Sequence, residues 1–419
     1  MPAGTPVVRR PTAVPCVGVT GVVNFPLVRI LRRCSVVVLA VVVAASVAAG
    51  GEAAPRNAPP GDHSEALPSV TEAAAGVAPA ARLTPPVSRP VSFAFTGDIH
   101  MLKAVNRDAA RPDGSYDYRP MFARVAPLLS WFDVASCQME APVAPDGMSI
   151  IVDAPLLSTA PALVPALAGA GYDRCSTASN HMLDRGVAGV DSTLAAFDAA
   201  GLGHTGTARS AQEARAVLFE VRGVTFAHLA YTFYIGSRPA NQPWRINLIE
   251  SNAIIAAARQ ARADGAQVVV VSLEWGVDTV SAVTPYQRTV AQAVTASGQV
   301  DLIVGHQAHV LQPIGNVNGV WVIYGLGNFI SDLPGATWPA AAQDAVVAAV
   351  DFTVAADGSV SVSRPVVYPT WIDKQNGHVV RLTSEADDPT LSAAVREALR
   401  QSEERTRSVM GEFFAPGVG

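Results

Sequence analysis

The sequence predicts a layered α/β fold in which one functional site lies beyond the carboxyl ends of the strands. Strand and helix signals alternate from Val91 onward. The segment from Val268 to Leu273 is a nearly unbroken apolar run, which is typical of a strand that is buried on both faces. Polar residues follow directly after several predicted strands, and ligands bind at such strand ends in layered α/β folds. We therefore expect these polar residues to share one site.

The bulk composition is that of a globular protein and excludes a nucleic-acid-binding surface. The chain has 419 residues, of which 49% are hydrophobic and 16% are charged, so it can bury one large core. Its net charge is −5, whereas a nucleic-acid surface would need clustered Lys and Arg. We therefore expect no nucleic-acid partner.

The N-terminal segment differs in composition from the rest of the chain. Basic residues at 29–33 precede an apolar stretch from Val36 to Ala49, so residues 1–49 resemble a secretory signal, which is either cleaved or kept as an anchor. Residues 50–90 are rich in Pro and Ala and predict a disordered tether. We therefore expect an exported protein of the cell envelope or extracellular space, with membrane contact through the N-terminal segment only.

The folded domain is predicted over residues 91–375, with a helical extension over residues 376–419. It begins with the short strand Val91–Phe95. In its first half we then expect a helix over 118–131, a strand near 134, helices over 161–170 and 191–200, and a hairpin of 217–221 with 224–230. Gly201 ends the helix over 191–200.

The second half continues the alternation of helices and strands. The patterns predict helices over 252–263 and 285–297, strands over 268–273, 302–304 and 320–324, a hairpin of 345–354 with 359–367, and a polar helix over 389–407. Asp357-Gly358 marks the turn of that hairpin.

Two cysteines, Cys137 and Cys175, lie within the predicted domain. In an oxidising compartment they can form a disulfide, and otherwise they are two buried thiols on neighbouring strands. Neither belongs to a C-x-x-C pair, so we do not expect them to bind a metal. The sequence leaves the two alternatives open.

Carboxylate, amide and imidazole groups cluster at the predicted strand ends. A D-x-H pair follows the first strand, and two imidazoles three residues apart follow the strand at 302–304. The strand-end residues are Asp98, His100, Glu140, Asn180, His181, Glu274, Trp275, His306 and His309. Oxygen and nitrogen donors of this kind suit Mn, Fe, Zn or Mg, and two such ions would generate hydroxide and hold a transferring phosphoryl group. The remaining histidines, His204, His228 and His378, are interpreted as structural.

The order of these motifs resembles that of the calcineurin-like metallophosphoesterases, and more closely that of the CapA-like capsule and poly-γ-glutamate biosynthesis family. The resemblance covers Val91 to Asp332. It rests on the stretches Phe95–Asp98, Gln138–Val143, Ala178–Gly186, Gly305–Pro313 and Tyr324–Phe329. It implies an α/β/β/α sandwich with the metal site at the strand ends.

The resemblance also implies roles for individual residues. Asp98, Glu140, Asn180 and His309 would be among the metal ligands, with His306 at the centre. His181 would be a general acid or would orient Asn180, and Asp184 would support it. Asn328 and Trp275 would close the site on the substrate side.

Two positions depart from the family pattern. The family usually has His before Trp-Gly, where this chain has Glu274, which can still bind Mn, Mg or Fe or can mark a weakened metal position. The first motif of the family often lacks a second ligand, which His100 supplies here.

Three functions are consistent with these motifs. The first is a binuclear phosphoesterase acting on a phosphorylated envelope substrate. The second is a capsule-polymer factor that binds or exports an anionic poly-γ-glutamate-like chain, within a polymer-synthesis complex. The third is a scaffold that has kept the fold and lost its metals, because a shared fold is not evidence of activity.

Overall fold

The computed structural model describes residues 90–233, 238–239 and 241–415. The predicted signal or anchor (1–49) and nearly all of the predicted tether (50–90) lie outside this part of the chain. Among the described residues, no helix has the length and apolar character needed to cross a membrane.

The described residues form α-helices and strands in alternation. The α-helices are α1 (Lys103–Ala109), α2 (Arg119–Phe122), α3 (Ala126–Leu129), α4 (Leu163–Gly169), α5 (Gly186–Ala200), α6 (Ser251–Ala263), α7 (Pro285–Ala296) and α8 (Ala393–Met410). The strands are β1 (Val91–Ile99), β2 (Val134–Met139), β3 (Arg174–Ser176), β4 (Gly203–Thr205), β5 (Leu218–Val221), β6 (Val224–Thr232), β7 (Val268–Glu274), β8 (Leu302–His306), β9 (Leu311–Val317), β10 (Val320–Leu326), β11 (Asn328–Ile330), β12 (Asp344–Val354), β13 (Val360–Val362), β14 (Val366–Asp373) and β15 (Val379–Leu382).

These strands form two sheets. The first sheet has the order β15-β14-β12-β1-β2-β3-β4, with β11 beside β1 and β13 beside β12. The second has the order β5-β6-β7-β8-β10-β9. In both sheets the central strands run parallel, namely β1 to β4 and β6, β7, β8 and β10, so their carboxyl ends lie at one edge of each sheet.

The two sheets pack face to face, with helices on both outer faces. Side chains of both sheets, among them Phe93, Val270 and Phe352, form one apolar cluster between them. A second cluster joins the outer face of the first sheet to α1–α5, and a third joins the second sheet to α6 and α7. The predicted α/β/β/α sandwich is therefore confirmed.

Several elements differ in detail from the sequence prediction. The helix predicted over 118–131 is two short helices, α2 and α3, each with a proline in its first turn, where the missing N–H is tolerated. The strand predicted over 359–367 is divided into β13 and β14 at Pro365, which cannot donate to the ladder. Residues 376–419, predicted as a helical extension, contribute the edge strand β15 as well as α8.

The two cysteines of the domain are joined by a disulfide. Cys137 on β2 and Cys175 on β3 are partners in the parallel register, with 4.4 Å between their Cα atoms. Of the two alternatives that the sequence left open, the structure shows the bridged one. The bridge links the two strands that lead to Glu140 and Asn180.

Candidate metal centre

The parallel strands bring the predicted ligands to one edge of the sandwich. Asp98 lies near the end of β1, and Glu140 follows β2 directly. The second sheet contributes Glu274 and His306 at the ends of β7 and β8, which pair with each other in register. The edges of the two sheets therefore bring these predicted site residues together.

Two groups of side chains in this centre have the geometry of metal sites. Asp98, Glu140 and His309 form the first group, and His100, Glu140 and His181 form the second. In each group the ligand atoms lie within 4.8 Å of one another. Apart from His181, which is half-buried, all of these side chains are buried.

Glu140 belongs to both groups, and its two oxygens face different partners. Oε1 lies 3.5 Å from His309 Nε2, and Oε2 lies 3.7 Å from His100 Nδ1. Glu140 is 1% exposed, and neither oxygen has a hydrogen-bond partner among the described residues. Because an unpaired buried carboxylate is costly, this arrangement fits a carboxylate that bridges two cations.

Burial dominates the electrostatics of the centre. It raises the pKa of the Glu140 carboxyl well above its usual value, with further increases from Asp98 and Glu274. Burial likewise raises the pKa of Glu274 to about 8. The pKa of His100 is lowered well below its usual value by burial, followed by repulsion from His309 and His181. Burial thus favours the neutral forms of Glu140, Glu274 and His100 in the metal-free protein, and a divalent cation would favour the ionised form of the carboxyl groups near it.

We predict that metal uptake releases protons and strengthens as the pH rises from about 6 to 8. The raised pKa of Glu140 favours its protonated form, and Glu274, with a pKa of about 8, carries a proton near neutral pH, so cations bound in this centre would displace protons from it. His100 is already neutral there and releases none. Calorimetric titrations with Mn²⁺ in two buffers of different ionisation enthalpy would measure the proton release. An enthalpy that is the same in both buffers would contradict the prediction.

Asn328 orients the His309 imidazole. Its Nδ2 donates to the carbonyls of His309 and Ala342, at 3.1 and 2.9 Å. Its Oδ1, 2.9 Å from His309 Nδ1, is therefore the acceptor, and His309 carries its proton on Nδ1. This leaves Nε2 free to bind a cation beside Glu140. Asn328, which the sequence predicted to close the substrate side, thus contacts a member of the first group.

Asp184 orients His181 in a similar way. Its Oδ2 lies 2.7 Å from His181 Nδ1 and also accepts a hydrogen bond from the Leu157 backbone N–H at 2.7 Å. The Nδ1 atom of His181 is engaged in this contact, so Nε2 is the atom available to a cation or a substrate. The supporting role of Asp184 stays a prediction.

The other predicted residues lie around the two groups. Asn180 donates its backbone N–H to Glu274 Oε2 at 2.8 Å, so this carboxylate holds the turn that carries Asn180 and His181. His306 Nδ1 lies 3.2 Å from Asp98 Oδ1. Trp275 is 1% exposed and donates to the Tyr324 carbonyl, which places it in the core and not on the cleft wall.

The three histidines interpreted as structural lie outside both groups. His228 is buried between Arg174 and Ser272, and His204 contacts Asp198. The third, His378, lies between two carboxylates away from Glu140.

A cleft of about 520 Å³ opens beside the two groups, and sequence reasoning missed several of its residues. Asp278, Gln307 and Trp338 line it together with the histidines. Trp338 packs edge-on against the His309 ring at 5.6 Å. Gln307 lies inside the Gly-His-x-x-His motif and could have been singled out, whereas the loops that carry Asp278 and Trp338 have no distinguishing pattern.

The fold and the two side-chain groups define a layered α/β protein with a candidate metal centre at its strand ends. The chain belongs to the family of bacterial capsule synthesis proteins, PGA_cap, whose sequence model matches residues 92–333. The family predicted from the sequence motifs is thereby confirmed.

The names of curated relatives also refer to capsule or PGA biosynthesis. The chain is 30% identical over 251 residues to "Capsule biosynthesis protein CapA" of Bacillus anthracis, covering 58% of this chain and 60% of that protein. It is 30% identical over 246 residues to "PGA biosynthesis protein CapA" of Bacillus subtilis, covering 58% and 63%. A "Probable polyglutamine synthesis accessory protein" of Mycobacterium tuberculosis is 26% identical over 258 residues, covering 57% and 66%. The chain thus matches about three fifths of the length of these relatives.

Solved structures similar to the chain include phosphoesterases at low sequence identity. The calcineurin-like phosphoesterase YfkN from Bacillus subtilis is 14% identical, with a TM-score of 0.43 and coverage of 77% of this chain and 99% of that one. A phosphatase from Mycoplasma pneumoniae is 13% identical, with a TM-score of 0.41 and coverage of 67% and 94%.

Proposed function

We propose that the protein is an exported hydrolase that depends on two divalent metal ions and acts in capsule or poly-γ-glutamate biosynthesis. The observation that carries this proposal is Glu140, a buried carboxylate whose two unpaired oxygens face two separate ligand groups. The family membership and the names of the relatives support the process. A partnership with a polymer-synthesis complex is part of the same proposal.

The ligand groups indicate how the metals would be held. Asp98, Glu140 and His309 would bind one ion. In the second group, His100 and Glu140 would bind the other ion and His181 would be left to face the substrate. These oxygen and nitrogen donors suit Mn, Fe, Zn or Mg. Bound in this way, two divalent ions supply an activated water and neutralise charge on the group that is transferred. A phosphoester of the cell envelope is the first substrate to test.

His181 would act as the proton donor to the leaving group. Asp184 fixes its Nδ1, and its Nε2 is available at the edge of the cleft. We expect His181→Gln to lower kcat about 10²–10⁴-fold, because positioned general acids contribute that much. Metal content, measured by elemental analysis, should stay at that of the wild type. A variant that loses one equivalent of metal would instead make His181 a ligand.

Elemental analysis of the purified protein tests the proposal as a whole. We expect close to two equivalents of Mn, Fe or Zn, with loss of metal in His309→Ala and no loss in His204→Ala, whose imidazole lies outside the centre. A panel of phosphoesters would then be screened for metal-dependent turnover. Absence of bound metal after reconstitution would reject the hydrolase.

A second candidate function is a polymer-binding protein without catalysis. Glu274 favours it, because this carboxylate stands where the family usually has His and holds the Asn180 backbone instead of joining either ligand group. Binding of poly-γ-glutamate by metal-free protein, together with no turnover by the metal-loaded form, would support this function.

A further inference from the structure

The cleft beside the metal centre has an unusual balance of charge for a site that would receive an anionic polymer. Its charged lining residues, apart from the histidines, are three carboxylates and one amine: Asp153, Asp278, Asp332 and Lys103. Sites built for phosphate or polycarboxylate carry arginine or lysine clamps. Among the described residues, this cleft has no such clamp.

Two of the three carboxylates already lie beside lysine side chains. Asp153 lies 3.2 Å from Lys103, the single amine of the cleft. Asp332 lies 3.3 Å from His378 Nε2 and 3.9 Å from Lys374 Nζ. These contacts leave the cleft without a free cation among its described lining residues.

Asp278 is the carboxylate of the cleft that has no cationic partner among the described residues. It is exposed, and its contact is a 3.3 Å hydrogen bond from the neutral amide Nε2 of Gln307. Gln307 itself is 7% exposed, and its Oε1 has no hydrogen-bond partner in the described part of the chain. The Asp278 carboxylate and the Gln307 amide oxygen are neighbouring acceptors without a donor of positive charge among the described side chains. They indicate a ligand that donates hydrogen bonds and carries positive charge.

We propose that Asp278, positioned by Gln307, binds an ammonium group of the substrate, and that this group is the free amino terminus of a γ-glutamyl chain. This inference rests on the proposed function for the choice of polymer. The metal ions would attract the carboxylate or carbonyl oxygens of the terminal residue, and Asp278 would attract its ammonium. The only charged groups in the interior of the polymer are carboxylates, which Asp278 repels. We therefore expect the cleft to bind the amino-terminal end of the chain.

The test compares two chemically defined ligands that differ only at the amino terminus. The full-length protein, loaded with Mn²⁺, is titrated calorimetrically with γ-linked triglutamate and with its N-acetylated form. We expect the free form to bind about tenfold to hundredfold more tightly, as a hydrogen bond between charged groups implies. Asp278→Asn should remove most of this preference with unchanged metal content.

Asp153→Asn is the matched control, because it makes the same change to a carboxylate of the same cleft that is already paired. It should keep the preference for the free amino terminus. Equal binding of the two ligands by the wild-type protein would overturn the inference, and so would a preference that survives in Asp278→Asn. Hydrolysis is measured separately with the same ligands and the phosphoester panel. A preserved preference without any turnover would reject the hydrolase and leave the amino-terminal site standing.

Discussion

Glu140→Ala is expected to abolish binding of both metal ions and all metal-dependent turnover. Glu140 belongs to both ligand groups, and its oxygens face His309 and His100 separately. Loss of a group that merely supports a ligand costs about 10–100-fold in affinity, so loss of a shared ligand should cost more than about a hundredfold at each position. Metal content by elemental analysis and Mn²⁺ affinity by calorimetry would measure the effect.

Asp98→Ala is the comparison that distinguishes a ligand shared by both ions from a ligand of one ion. Asp98 belongs to one of the two groups, so its removal should release one ion and leave the second bound. Thermal unfolding of the metal-free variants would show whether each still folds. Glu140→Ala should not destabilise the metal-free protein, because the cost of burying two unpaired oxygens disappears. Asp98→Ala should destabilise it, because Asp98 accepts from the Gln307 backbone N–H. Two equivalents of metal in Glu140→Ala would refute the bridging role.

The sequence predicts where the candidate ligands lie in the fold better than it predicts which side chains they contact. Asp98, Glu140 and His306 lie at or just beyond strand ends, and parallel strands must bring those ends to one edge of each sheet. That rule depends on the order of elements alone, so it holds without knowledge of the loops. The apolar run of β7, buried along its whole length, is predicted on the same basis.

Contacts that depend on loop conformation could not be predicted. Gln307 and His309 adopt positive φ values of 84° and 57°, which the surrounding packing imposes and no pattern in the sequence indicates. The strands β3 and β4 have three residues each, too few to show a period. The contacts of Asn328 could not be predicted for a related reason, since they involve two carbonyl groups that meet it only in the folded chain.

Asn328→Leu is expected to weaken metal binding at the group of Asp98, Glu140 and His309 by about 10–100-fold. Leucine has a similar size but cannot accept the proton of His309 Nδ1, so the ring loses both its orientation and its tautomer. It also leaves two buried carbonyl groups unpaired, which should lower the free energy of unfolding by about 1–3 kcal/mol. Mn²⁺ affinity and thermal unfolding of the metal-free protein would be measured together.

Asn328→Asp separates the orientation of His309 from the stability of the fold. A carboxylate still accepts from His309 Nδ1 but cannot donate to the carbonyls of His309 and Ala342, so this variant should lose stability and keep its metal affinity. Gln312→Leu provides the converse control, because Gln312 is a buried amide that donates to the carbonyls of Val280 and Ala282 and contacts no ligand. It should lower stability without changing metal affinity. If Asn328→Leu folds and binds Mn²⁺ as tightly as the wild type, the packing of the loop, and not Asn328, must hold His309 in place.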